Sequence, residues 1–365
     1  DEVAKALLSR DSSLRYYQKA AVFAALEKIA LCKLQNKNPR VLLALATGSG
    51  KTRIAVSLLK ALSDSGQLRR ALFVCDRDEL RTQALRNLQN SFGSDAAIAD
   101  SSNAQKNARV IIATYQTLSV ESEDVNDNFL RANYPENYFS HIIIDECHRS
   151  AWKKWHEVLL RNPKAVQIGL TATPRELAIN TDSLEGKLDD ELRRDNILYF
   201  GEPVYEYSYA QGVEDGYLAA CKIVKSKIDL DDTGISIDEV LKHNPRDYRT
   251  VEPISKADLQ QLYDKAEYED RIMLPDRILA MCQDLFARMC VSGNADGPEQ
   301  KTIIFCVRDT HADAVAIQMN NLYADWCARE GRKRKEPYAF KCTAASGGST
   351  LVADLRGNNR AYFVA

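Results

Sequence analysis

The chain has no C-x-x-C pair, and its five histidines make no ligand spacing with its nine cysteines. A structural zinc site and a disulfide framework are therefore both unsupported, and a reducing cytoplasm suits the composition. No apolar run approaches the ~20 residues a membrane span requires, so no membrane contact is expected. An excess of either charge is also missing. Lys and Arg total 49 against 51 Asp and Glu, for a net charge of −2. The whole surface is thus no polyanion trap, although positive charge can still be concentrated in one cleft. There is no repeat at a fixed period. The first residues, Asp1-Glu2, lack a leader signature, and the chain is expected to begin inside a longer protein. What remains is a globular composition, 45% apolar and 27% charged over 365 residues, which is long enough for more than one core.

The most informative stretch is Ala46-Thr47-Gly48-Ser49-Gly50-Lys51-Thr52. Apolar residues 41–45 lead into it as a strand. Ile54-Ala55-Val56-Ser57-Leu58-Leu59 leads out of it as a helix. Strand, glycine-rich turn and helix form the setting of a phosphate-binding loop. The glycines let backbone N–H groups face an anion, and the helix N-terminus adds partial positive charge. Lys51 can reach β- and γ-phosphates, and the Thr52 hydroxyl can ligate Mg²⁺. The strict pattern wants glycine where Leu45 stands.

Short apolar runs at 41–44, 70–75, 110–113, 141–144 and 166–170 alternate with helical patterns such as 78–88 and 152–160. Continuous buried strands separated by helices imply an α/β domain with a mostly parallel sheet, from about 14 to about 200. Residues 204–209 alternate as a strand. Residues 229–266 are polar and acidic and read as a linker or insert. Residues 272–289 read as an amphipathic helix. Residues 302–307 read as a second apolar strand, followed by a helix over 312–322. Arg332-Lys333-Arg334-Lys335 reads as a solvated loop. Trp152 and Trp155 read as packing residues.

The run His141-Ile142-Ile143-Ile144 ends in Asp145-Glu146-Cys147-His148. A buried strand ending in two carboxylates delivers them to the carboxyl edge of the sheet, where open α/β folds bind ligands. There Asp145 can hold Mg²⁺ through water, and Glu146 can orient the attacking water. This box resembles motif II of the superfamily 2 helicases and translocases. Further pieces follow the same order. Leu14-Arg15-Tyr16-Tyr17-Gln18 resembles the adenine-reading motif, Cys75-Asp76-Arg77-Asp78-Glu79-Leu80 motif Ia, and Ala113-Thr114-Tyr115-Gln116-Thr117-Leu118 motif Ib. Leu170-Thr171-Ala172-Thr173-Pro174 resembles motif III, and residues 301–307 motif IV.

The resemblance implies two RecA-like P-loop domains with mostly parallel sheets, the second incomplete. The implied boundaries are 1–205, then 206–270 as connecting strands and linker, then 271–365. It implies that Arg15, Gln18, Gly48, Ser49, Gly50, Lys51 and Thr52 bind ATP, and that Thr52 and Asp145 hold Mg²⁺. Lys51 and Glu146 would serve catalysis. His148, Thr171 and Thr173 would couple nucleotide state to movement, and Arg77 and Thr114 would touch DNA phosphates, which positions a strand without reading its sequence. Motifs V and VI are absent from the sequence. The arginine finger of motif VI is worth ~10³–10⁵ in kcat in related systems, so this stretch is expected to turn ATP over poorly.

Residues 199–207 and 212–218 are similar to the motor part of the R subunit of type I restriction–modification enzymes. That resemblance implies a prokaryotic cytoplasmic translocase of double-stranded DNA, working with modification and specificity subunits and a separate nuclease domain. A stand-alone superfamily 2 helicase and a nucleotide-gated DNA-binding module are the alternatives. Glu299-Gln300-Lys301 spells E-x-K beside Asp296, but it lies in a loop without the upstream strand a nuclease needs, and it reads as coincidence.

Overall fold

A computed structural model describes residues 13–75, 78–118, 129–145, 147, 157–172, 196–226, 237–248, 250–262, 272–291, 298–335, 338–343, 351 and 355. The chain divides into two compact units, Asp1–Lys222 and Ile223–Ala365.

The first unit is built on seven strands: β1 (Arg40–Leu45), β2 (Ala71–Cys75), β3 (Ala96–Ile98), β4 (Val110–Thr114), β5 (His141–Ile144), β6 (Val166–Thr171) and β7 (Tyr205–Tyr207). Their order in the sheet is β3-β4-β2-β5-β6-β1-β7, and every pairing is parallel. Five strands follow the apolar runs of the sequence to within a residue. β3 and the short extent of β7 do not show in those runs. The sheet also extends past residue 205, where the sequence ended the first domain, because β7 pairs with β1.

Alternation along each strand feeds two cores. Val41, Leu43, Leu45, Phe73, Ile112, Ile143 and Ile168 pack on one face beneath α1 (Tyr16–Leu34), α2 (Lys51–Asp64) and α3 (Asp78–Phe92). Leu42, Leu72, Val74, Ile111, Ile142 and Ile144 pack on the other. A sheet buried on both faces explains why its strands read as continuous apolar runs. α1 buries Gln18, Ala21, Val22, Ala25, Ile29 and Cys32, a helical stripe that holds its first turn against the sheet.

His141 opens β5 and is buried. Its Nδ1 lies 2.9 Å from Ser140 Oγ, and its Nε2 has no hydrogen-bond partner. Burial, and then the nearby Lys33 ammonium, hold the imidazole down from 6.5 to about 4. The unfolded chain takes up its proton as pH falls through 6.5, whereas the folded chain does so only near 4. This site's contribution is therefore intact above about 6.5 and declines as the pH drops, by at most about 3 kcal/mol. His141→Leu is expected to flatten the fall in urea midpoint between pH 6.5 and 4. An unchanged slope contradicts this reading.

The second unit contains α6 (Ile237–Lys242), β8 (Arg246–Asp247), α7 (Lys256–Leu262), β9 (Ile272–Met273), α8 (Pro275–Val291) and α9 (Asp309–Glu330). β8 and β9 are antiparallel. Within the segment expected as a linker or insert, Val240, Ile254 and Leu259 form a small core with Ile272 and Leu274. The helix expected from 272 begins at Pro275, whose fixed φ and missing N–H suit a first helical position. Tyr323 stacks on Tyr338 at 3.8 Å in the main core of the unit.

Of the strand expected over 302–307, the described residues show a single bridge position, at Ile303, and no pairing with a named strand. Its alternation survives, with Ile304 and Cys306 packed on the core and Phe305 92% exposed. Glu299 accepts hydrogen bonds from Tyr323 (2.7 Å) and Lys335 (2.7 Å). Its E-x-K context is thereby tied into packing, and Lys335 of the basic run is partnered. Trp152 and Trp155 lie outside the described residues. Among those described, no helix is long and apolar enough to cross a membrane.

Candidate functional site

Because the seven strands are parallel, the segments that follow them emerge at one edge. The turn after β1 is the glycine-rich loop. Gly48 and Gly50 take left-handed backbone (φ +85° and +89°), which lets successive N–H groups turn inward. Gly50 ends the loop, and its carbonyl accepts from Arg53 N (2.9 Å) and Ile54 N (3.2 Å) as α2 starts. Lys51 is the first residue of α2. It is buried, with Nζ 3.4 Å from the Leu45 carbonyl. Thr52 follows on the same turn, half-buried.

Asp145 leaves β5 buried, its backbone N–H donating to the Val74 carbonyl at 2.9 Å. β6 separates β5 from β1, so the acid and the loop sit on strands ~10 Å apart. Thr171 ends β6 opposite Ala44 of β1, between the two, and is buried. The Cys147 N–H donates to Leu170 O (2.9 Å), and its Sγ would stand 3.1 Å from a Cβ built on Gly169. This thiol fills space beside the strand end, as its position in the sequence suggests.

The first turn of α1 closes over the loop. The Tyr17 hydroxyl and Gln18 Nε2 both donate to the Ser49 carbonyl, at 2.7 and 2.8 Å. Gln18 Oε1 accepts from the Arg15 N–H at 3.0 Å. A Cβ on Gly50 would come within 2.6 Å of Gln18 Nε2 and would be strained by the left-handed backbone there (φ +89°), which is what favours glycine at this position. Ser49 Oγ is buried and makes no hydrogen bond. A buried hydroxyl without a partner costs about 1–3 kcal/mol. Its place in a nest of amides, beside a buried lysine and near a buried carboxylate, fits a magnesium–nucleotide phosphate group. Lys51 would meet the phosphate, and Thr52 and Asp145 would face the metal.

Thr114, the residue expected to touch a DNA phosphate, lies at the same carboxyl edge of the sheet. It ends β4 buried, and its Oγ1 accepts from Thr117 N (3.2 Å) and meets Thr117 Oγ1 (3.0 Å). It caps α4 (Tyr115–Leu118) with this buried hydroxyl. Arg77, Glu146, His148 and Thr173 lie outside the described residues.

The sequence did not reveal a second wall contributed by β7 and α5 (Tyr209–Glu214). Tyr207 stacks on Tyr17 at 3.8 Å. Asp215 accepts hydrogen bonds from Tyr207 (2.6 Å) and Tyr16. Those two bonds, Tyr16 first, hold the Asp215 carboxyl below the usual range, and the Tyr16 phenol is pushed up to about 12, chiefly by the same bond. Tyr16 and Asp215 are 199 residues apart, which hides the pair from any local pattern.

A family model described as "Type III restriction enzyme, res subunit" matches residues 11–176. The endonuclease subunit of the type I restriction enzyme EcoAI from Escherichia coli is 31% identical over 337 residues, covering 91% of this chain and 36% of that protein. The EcoKI endonuclease subunit of Escherichia coli K12 is 28% identical over 344 residues, covering 84% and 26%. The chain thus spans about a third or less of these relatives' length. A solved fragment assigned as the HsdR subunit of a type I restriction enzyme from Vibrio vulnificus shares the fold. Its TM-score is 0.59 at 24% identity, covering 100% of this chain and 56% of that one. The chain, with its phosphate loop, its acid at the end of β5 and its parallel sheet, is thus homologous to part of the endonuclease subunits of type I restriction enzymes, and its first unit carries the matched restriction-enzyme domain.

Proposed function

We propose that this chain is the ATP-driven motor part of a type I restriction R subunit, which moves double-stranded DNA toward cleavage by a separate nuclease domain. The observation that carries the reading is that Lys51, Thr52, Asp145 and Thr171 share one sheet edge with a glycine loop whose buried Ser49 hydroxyl has no partner. Lys51 and the loop amides hold the β- and γ-phosphates. Thr52 and Asp145 hold Mg²⁺, which neutralises charge developing on the transferred phosphoryl group. Glu146, next in sequence to Asp145, orients the attacking water. Gln18 and Arg15 face the base. Thr171, together with His148 and Thr173, passes the state of the site to a second RecA-like domain built from 271 onward. Closure and opening between the domains then shift the grip on the DNA backbone, with Arg77 among the phosphate contacts.

The full protein would work in the bacterial cytoplasm with modification and specificity subunits. A stand-alone helicase of the same superfamily is the competing reading. The assembled enzyme, given ATP, is expected to displace a triplex-forming strand from duplex DNA and to leave a forked duplex paired. Efficient unwinding of the fork without triplex displacement would overturn the translocase reading.

A further inference from the structure

The turn that ends α5 brings two side chains back over the phosphate loop. Gly216 takes a left-handed backbone (φ +73°), and the Tyr217 and Leu218 N–H groups donate to the Gly212 carbonyl at 2.9 and 2.8 Å. Leu218 Cδ2 would lie 3.2 Å from a Cβ built on Gly48, so this side chain rests against the loop itself. The Arg15 guanidinium lies over the Tyr217 ring, 4.5 Å from its centroid, and Arg15 Nη1 donates to the Tyr17 hydroxyl at 3.2 Å. Tyr217 also packs 5.5 Å from Tyr17. At the base of the turn, Asp215 is held by Tyr16 from α1 and Tyr207 from β7.

Arg15 is a long, exposed side chain with many rotamers, and ordering it costs entropy. Tyr217 on one face and the Tyr17 hydroxyl at its edge fix it as a plane beside Gln18. A guanidinium held flat against one aromatic ring is shaped to stack a second flat π-system on its opposite face.

We propose that Tyr217 is a specificity-determining positioning residue for the nucleotide base: it holds the Arg15 plane against which a purine stacks, and Asp215 locks the turn that carries it. This rests on the reading of the phosphate loop as an ATP site. Base stacking and phosphate binding are thereby assigned to different walls, with Tyr217 and Arg15 serving the base and Lys51 the triphosphate.

The test compares two probes on the full-length protein with Mg²⁺: ATP, and inorganic tripolyphosphate, which has no base. Tyr217→Ala is expected to weaken ATP binding about 3- to 10-fold, the scale of a partly exposed cation–π contact. Tripolyphosphate binding should stay within about twofold, and Tyr217→Phe, which keeps the ring, should restore ATP affinity. Equal loss for both probes would make Tyr217 a merely structural support of the loop and overturn the proposal. So would unchanged ATP binding. Wild-type protein that binds neither probe refutes the ATP site itself, an outcome separate from the other two.

Discussion

Lys51→Ala in the full-length protein is expected to lower the duplex-stimulated ATPase rate by roughly 10²–10³-fold, the scale seen when one preorganised charge-stabilising group is removed. The lysine opens α2 at the end of the glycine loop, where the helix N-terminus and the loop amides already favour an anion. Its ammonium is buried at the edge that also carries Asp145, so its charge acts in a poorly solvated setting. Alanine is the best helix former and keeps α2 intact. The substitution should therefore separate chemistry from folding: the urea midpoint stays near wild type while turnover collapses. A rate within threefold of wild type contradicts the assignment of Lys51.

Phe73→Ala should do the reverse. Phe73 lies in the middle of β2, fully buried, with Ile112 beside it on β4 and Ile143 on β5. Truncation removes a large ring from the core face shared with α1, α2 and α3 and leaves a cavity that a two-sided sheet cannot close easily. The expected loss is about 3–5 kcal/mol of unfolding free energy, read from urea unfolding monitored on the first unit. Protein that remains folded should bind ATP with affinity within about twofold of wild type, because β2 lies three strands away from β1, which leads into the loop. A stability loss below about 1 kcal/mol would show that β2 is not the packed interior strand described above.

These two outcomes reflect what a sequence can disclose. Strands buried on both faces read as unbroken apolar runs, so β1, β2, β4, β5 and β6 were visible, and parallel strands necessarily gather Lys51, Asp145 and Thr171 at one edge. β3 escaped because Ala96–Ile98 is a three-residue edge strand made mostly of alanine. The segment 302–307 has strand composition, and the described residues give it one bridge position, at Ile303. Residues 229–266 look solvated because only a few apolar side chains, such as Val240 and Leu259, make their small core. Thr114 shows the opposite limit. A motif gives the position of a residue, but only the packed structure shows that its hydroxyl is spent capping α4. The wall formed by Asp215, Tyr217 and Leu218 was invisible because its partners on α1 and the phosphate loop are far away in the chain.

The central claim is that ATP turnover moves the protein along duplex DNA. Its most direct measurement is the ATP consumed per bound linear duplex, in the assembled enzyme, as duplex length increases from a fixed recognition site. A motor that tracks the duplex to its end predicts consumption rising in proportion to the length ahead of it. Consumption that is independent of length would contradict translocation and leave only a DNA-activated ATPase.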